Sequence, residues 1–194
     1  MKYLAVGLLT FCSFTSFARG KYVSVIVTIA KTDTNANLIV YGSRQLTLDD
    51  FQGPVDNNVL SYTAVTFSDI DIRCTYEESE DSIKANVIIT PYFDKTKSWC
   101  KASGHNEHTL AHEQLHFDLT ALKACELVKR IQTTHFTKAD FSKELHDVNQ
   151  SLLNEVATEQ DKYDNLTHHG ILSDKQAEES TRIKALLQKS WCYN

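Results

Sequence analysis

Hydrophobic periodicity changes once along this chain, near Gly104, and that change constrains the fold more than any other feature. Before it, Val23, Val25, Val27 and Ile29 recur at period two, and Ile70, Ile72, Cys74 and Tyr76 do the same. After the polar stretch Glu77 to Ser82 the alternation resumes in Ile83, Ala85, Val87 and Ile89. Residues two apart on an extended chain share a face, so each run predicts a strand with one buried side, and the last two predict a hairpin. Asp49-Asp50-Phe51-Gln52-Gly53-Pro54 marks a loop between strands by its turn residues. Beyond Gly104, Leu110, Leu115, Leu119, Leu122, Leu127 and Ile131 approximate one apolar stripe at helical spacing. A second helix is expected to start near Thr137, capped by its hydroxyl with Asp140 three residues on, and to run through Leu145, Val148, Leu152 and Val156 toward Tyr163 before stopping at Gly170. Ser173, with Gln176 at the capping-box position, predicts a third helix ending near Trp191. Strands first and helices second predict the α+β class: an antiparallel sheet followed by three helices.

The chain of 194 residues supports one sizeable core. A formal charge of −5 without a Lys/Arg cluster argues against nucleic acid or anionic lipid as partner. Residues 1–18 read as a signal peptide. Lys2 is the positive start, Leu4 to Phe11 the short apolar run, and Ser16-Phe17-Ala18 the small-residue site, with cleavage expected after Ala18. The run is too short to span a bilayer, and bulky Phe11 before Cys12 does not suit lipid modification. Export to the periplasm or beyond would leave 19–194 as the domain, with Cys74, Cys100, Cys125 and Cys192 in an oxidising compartment. Four cysteines permit three pairings; the expected ones are Cys74–Cys100 and Cys125–Cys192.

Inside the first helical stretch stands His112-Glu113-Gln114-Leu115-His116. Positions four apart on a helix lie about 40° from one another, so both imidazoles can aim at one cation. Glu113 falls on a neighbouring flank, placed to reach a water on that cation. This is the spacing of a metallopeptidase helix, in which zinc lowers the pKa of water and the carboxylate takes its proton. The competing reading is an amphipathic helix with two surface histidines. A catalytic zinc wants a third protein ligand. Counting rise along an antiparallel helix pair brings Glu155 or Glu159 level with His116. Asp118 points to the far side of the helix and reads as a supporting or structural carboxylate. Tyr163 or Tyr92 could stabilise an oxyanion, although buried tyrosines are more often core residues. His105, His108, His135 and His146 read as solvated.

Three blocks resemble a bacterial family of predicted secreted zinc-dependent proteases: Leu46-Thr47-Leu48-Asp49-Asp50-Phe51-Gln52-Gly53, the motif continuing as Phe117-Asp118, and Tyr163-Asp164-Asn165-Leu166-Thr167-His168-His169-Gly170. His168 departs from that pattern, where a small polar residue is expected, and the histidine beside Gly170 fits the family position better. The resemblance implies a zincin-like fold holding Zn2+, with His169 as the third ligand and Asp164 orienting an imidazole. The function expected is exported hydrolysis of peptide bonds with a metal-activated water, on a peptide or protein substrate paired to a strand edge near Ile83 to Tyr92. A cell-wall peptide amidase and a non-catalytic secreted zinc-binding module are the rivals.

Overall fold

The computed structural model describes residues 21–59, 62–190 and 192. The expected leader, residues 1–18, lies outside them. The alternating runs become strands, in chain order β1 (Tyr22–Ile29), β2 (Leu38–Val40), β3 (Ala64–Val65), β4 (Ser68–Glu78), β5 (Ser82–Asp94) and β6 (Trp99–Cys100). β4 and β5 form the expected hairpin, with Ile72 opposite Ile89 and Cys74 opposite Val87. β5 is central. β4 runs antiparallel along one of its edges, while β1 and then β2 occupy the other. The sheet is antiparallel except for β1, which pairs with β5 in parallel from Tyr22↔Ser82 to Ile29↔Ile89. One consequence corrects an expectation. Ile83 to Tyr92 is an interior strand hydrogen-bonded on both sides, so it offers no edge to a substrate. β3 and β6 make a separate two-stranded ribbon.

The helices are α1 (Glu107–Thr133), α2 (Phe141–Thr167) and α3 (Ser173–Lys189). Asn106 starts α1 because its side chain accepts the amide of Thr109, satisfying one of the unpaired N–H groups of the first turn. α2 begins one turn later than expected. Thr137 accepts the Asp140 amide and donates to Glu144, so its hydroxyl organises the preceding loop, and Asp140 takes the cap position. At the far end His168, His169 and Gly170 all adopt positive φ, which reverses the chain within three residues. α3 starts at Ser173, but Ser173 makes no capping bond and Gln176 is buried instead of closing a capping box.

The inward faces of the sheet and of α1 and α2 meet in one core, where Ile83, Ala85, Val87 and Ile89 pack on Ala124, Leu127, Val128, Ile131 and Leu152. A second cluster of Leu115, Leu119, Tyr163 and Ile183 locks α1, α2 and α3 together at the motif end. No helix among the described residues is long and apolar enough to cross a membrane.

Cys125 and Cys192 form the expected disulfide, tying the tail to α1. Cys74 and Cys100 do not pair, which corrects the other expected bridge. Cys74 sits half-buried in the middle of β4, packed against the main core, whereas Cys100 is buried on β6 in the separate ribbon. Their strands belong to different sheets, and nothing in the alternation pattern distinguishes that from a shared one. Thiol titration of chain 19–194, denatured without reductant, should therefore find two free thiols. None would restore the second bridge, and four would remove the first.

Candidate metal centre

The first half of α1 and the last turns of α2 run side by side, and the three side chains that meet between them are His112, His116 and Asp164. Nε2 of His112 lies 3.1 Å from Asp164 Oδ1, Nε2 of His116 lies 3.0 Å from the same oxygen, and the two nitrogens are 3.2 Å apart. One donor atom from each of the three falls within 4.8 Å of the others. Lone pairs brought this close repel unless a cation, proton or metal ion, lies among them. That donor set, two imidazoles and a carboxylate, suits a borderline divalent ion such as zinc.

Local packing explains why the cluster forms. The ring of Tyr163, one residue before Asp164, stacks on His112 at 4.8 Å between centroids and meets His116 edge-on at 4.9 Å. It is a buried wedge between the two rings, with its hydroxyl donating to the His112 carbonyl at 3.4 Å. Burial, with the charges of Glu113 and Asp164 nearby, pushes its phenol pKa far up, so it stays neutral. His116 donates its Nδ1 proton to Gln160 Oε1, and the amide nitrogen of Gln160 in turn holds the His116 carbonyl and Thr120 Oγ1. The imidazole is thereby fixed in the tautomer whose Nε2 carries a lone pair.

Charge reinforces this geometry. Burial disfavours the His116 cation, but the hydrogen bond to Asp164 and the charges of Glu113 and Asp164 outweigh it, raising its pKa above the ordinary imidazole value. Burial likewise disfavours the Asp164 carboxylate, and its bonds to His112 and His116 more than offset that, holding its pKa far below the usual range. Glu113 is 4 % exposed, and its Oε2 is buried without a hydrogen-bond partner. An unpaired buried carboxylate oxygen is costly, and proteins keep such atoms chiefly where function uses them. It borders a cavity of about 410 Å³ shared with His112, His116, Asp164, His169 and the strand residues Ala64 and Val65.

The third side chain of the cluster is Asp164, expected from the resemblance to orient an imidazole. Glu155 is bound to Arg130 and Lys123, and Glu159 approaches Arg182, so neither joins the cluster. Gln160, one residue past Glu159 and five past Glu155, is the α2 residue that lies beside His116. His169, the expected third ligand, stands beside Asp164, with Nδ1 3.4 Å from Asp164 Oδ2 and its ring edge-on to Tyr62 at 4.6 Å. Asp118 is buried on the far side of α1, where it accepts from Tyr41 and Gln114 and touches no site histidine. Gln114 also accepts the Leu46 amide, so the first family-like block anchors the motif helix from behind, with Asp50 braced by Arg44 and Thr47. Tyr92 lies on β5 beside Asp69 and away from the cavity. His108, expected to be solvated, donates to the Gly170 carbonyl at the cavity rim. Reading the residues alone missed Gln160, Tyr62 and Gln176; only Gln160 had a signal, standing four before Asp164 on the same helix face.

Searches against protein-family models, curated proteins and solved structures returned no match for this chain.

Proposed function

We propose that the chain is a zinc-dependent peptidase in which His112, His116 and Asp164 hold the metal and Glu113 is the general base. The single observation that carries this reading is the unpaired, buried Oε2 of Glu113 on the wall of the cavity where the three donor atoms converge. A divalent ion bound there would supply an acidified water and a polarised substrate carbonyl. Glu113 would hold that water's proton at Oε2 and return it to the departing amine. Gln160 keeps the His116 lone pair pointed inward. A purely structural zinc site is closed by four protein ligands, whereas this cluster has three donors and opens on the cavity.

Substrate alignment falls to β3. Among the described residues it pairs only with β6, through Ala64↔Cys100 and Val65↔Trp99, and it borders the cavity. An extended peptide added along its other side would lie across the site with its backbone hydrogen-bonded, as in strand addition elsewhere. The resemblance of the three sequence blocks to predicted secreted zinc proteases points the same way. The test is hydrolysis of a broad peptide library by chain 19–194. Cleavage should stop when a chelator strips the protein and return with about one equivalent of zinc per chain; cleavage that survives complete metal removal would overturn the proposal.

A further inference from the structure

The two site histidines are supported unequally. Nδ1 of His116 has Gln160 as its acceptor, but Nδ1 of His112 is buried with no partner. A histidine that gives its Nε2 lone pair to a metal carries its proton on Nδ1, and a buried N–H needs an acceptor. One unpaired acceptor stands close by. Oε1 of Gln176, on the first turn of α3, is also buried without a partner. Its amide orientation is set because Nε2 donates to the His108 carbonyl at 3.1 Å, which turns Oε1 the other way. Both orphan atoms face Gly170. A β-carbon on that residue would sit 3.2 Å from His112 Nδ1 and 3.2 Å from Gln176 Oε1. Glycine at this position thus keeps a β-carbon from wedging against both atoms, and its φ of +82° is one that residues with a side chain rarely adopt.

We propose that Gln176 is a positioning residue for His112: in the metal-loaded protein its Oε1 accepts the Nδ1 proton, as Gln160 does for His116. The proposal rests on His112 being a ligand through Nε2. Each ligand histidine of α1 would then be oriented by a glutamine from a neighbouring helix, Gln160 on α2 and Gln176 on α3, and the placement of α3 would be coupled to metal affinity. Such outer partners typically contribute about 10- to 100-fold in metal affinity.

The experiment compares wild type, Gln176→Met, Gln176→Glu and His112→Ala as full chains 19–194. Zinc affinity is measured by chelator competition, and the zinc-loaded proteins, labelled at histidine nitrogen, are examined by NMR for a slowly exchanging His112 Nδ1 proton. Wild type should show that proton. Gln176→Met, similar in size and helix preference, should lose it to exchange and bind zinc about 10- to 100-fold more weakly. Gln176→Glu keeps an oxygen acceptor but loses the donor to the His108 carbonyl, so it should retain the proton and stay within a few-fold of wild type. If Gln176→Glu falls as far as Gln176→Met, the residue acts only by bracing His108 and the proposal is wrong. If Gln176→Met matches wild type in both readouts, it is equally wrong. Should Gln176→Met not fold, Gln176→Glu decides alone, since loss of the slow proton with the acceptor in place overturns the pairing. Wild type that takes no zinc, or His112→Ala that keeps it, overturns the ligand reading itself and this inference with it.

Discussion

Glu113→Gln should lower peptide hydrolysis by about a hundredfold or more while leaving zinc content and thermal midpoint at or above wild type. Glutamine keeps the shape and one acceptor oxygen of the carboxylate but cannot accept a proton near neutral pH. Glu113 is not among the three converging donor atoms, so the metal should remain. Its Oε2 is buried and unpaired, so removing the charge relieves a desolvation penalty and should not destabilise the fold. This separates an enzyme from a binding module, because a zinc held for structure has no use for a base. Equal cleavage by both proteins would mean that proton transfer runs through another group. Parallel loss of zinc and activity would make Glu113 a ligand.

Asp164→Ala should weaken zinc binding by on the order of a hundredfold or more, and His169→Ala by no more than about tenfold. Asp164 Oδ1 lies against both imidazole nitrogens, whereas His169 reaches only the other carboxylate oxygen. The opposite ranking would return His169 to the ligand role that the family resemblance implies and leave Asp164 as its orienting partner. Affinity should also fall with pH, since a metal must displace the proton on each imidazole. The sign follows from His116: a raised pKa means the proton is held to higher pH, so competition sets in above the ordinary imidazole range as pH drops. In metal-free protein the same shift works the other way. Stability from the protonated His116–Asp164 contact is fully present below the ordinary imidazole value and is lost as pH rises through the raised one. Asp164, whose pKa is lowered, contributes above the ordinary carboxylate range and loses that contribution as pH falls. Asp164→Ala should flatten both limbs of the metal-free profile, read as thermal midpoint against pH, the His116 limb only in part because Glu113 also raises its pKa.

Much of this was legible in the sequence because it depends on neighbours along the chain. Period-two runs gave up β1, β4 and β5, the apolar stripe gave α1, and the spacing of His112 and His116 placed two imidazoles on one helix face whatever surrounds them. What sequence could not decide was register between elements. The packing of α2 along α1 sets Gln160 and Asp164 against the motif and Glu155 against Arg130. The same limit hid the pairing of β1 with β5, which turned an expected free edge into the centre of the sheet. It also hid the separation of Cys74 from Cys100. Local spacing, then, determined which side chains could act together on one helix. Which carboxylate and which glutamines meet them is a matter of how separate elements pack, where a shift of a few residues costs little locally and changes every long-range partner.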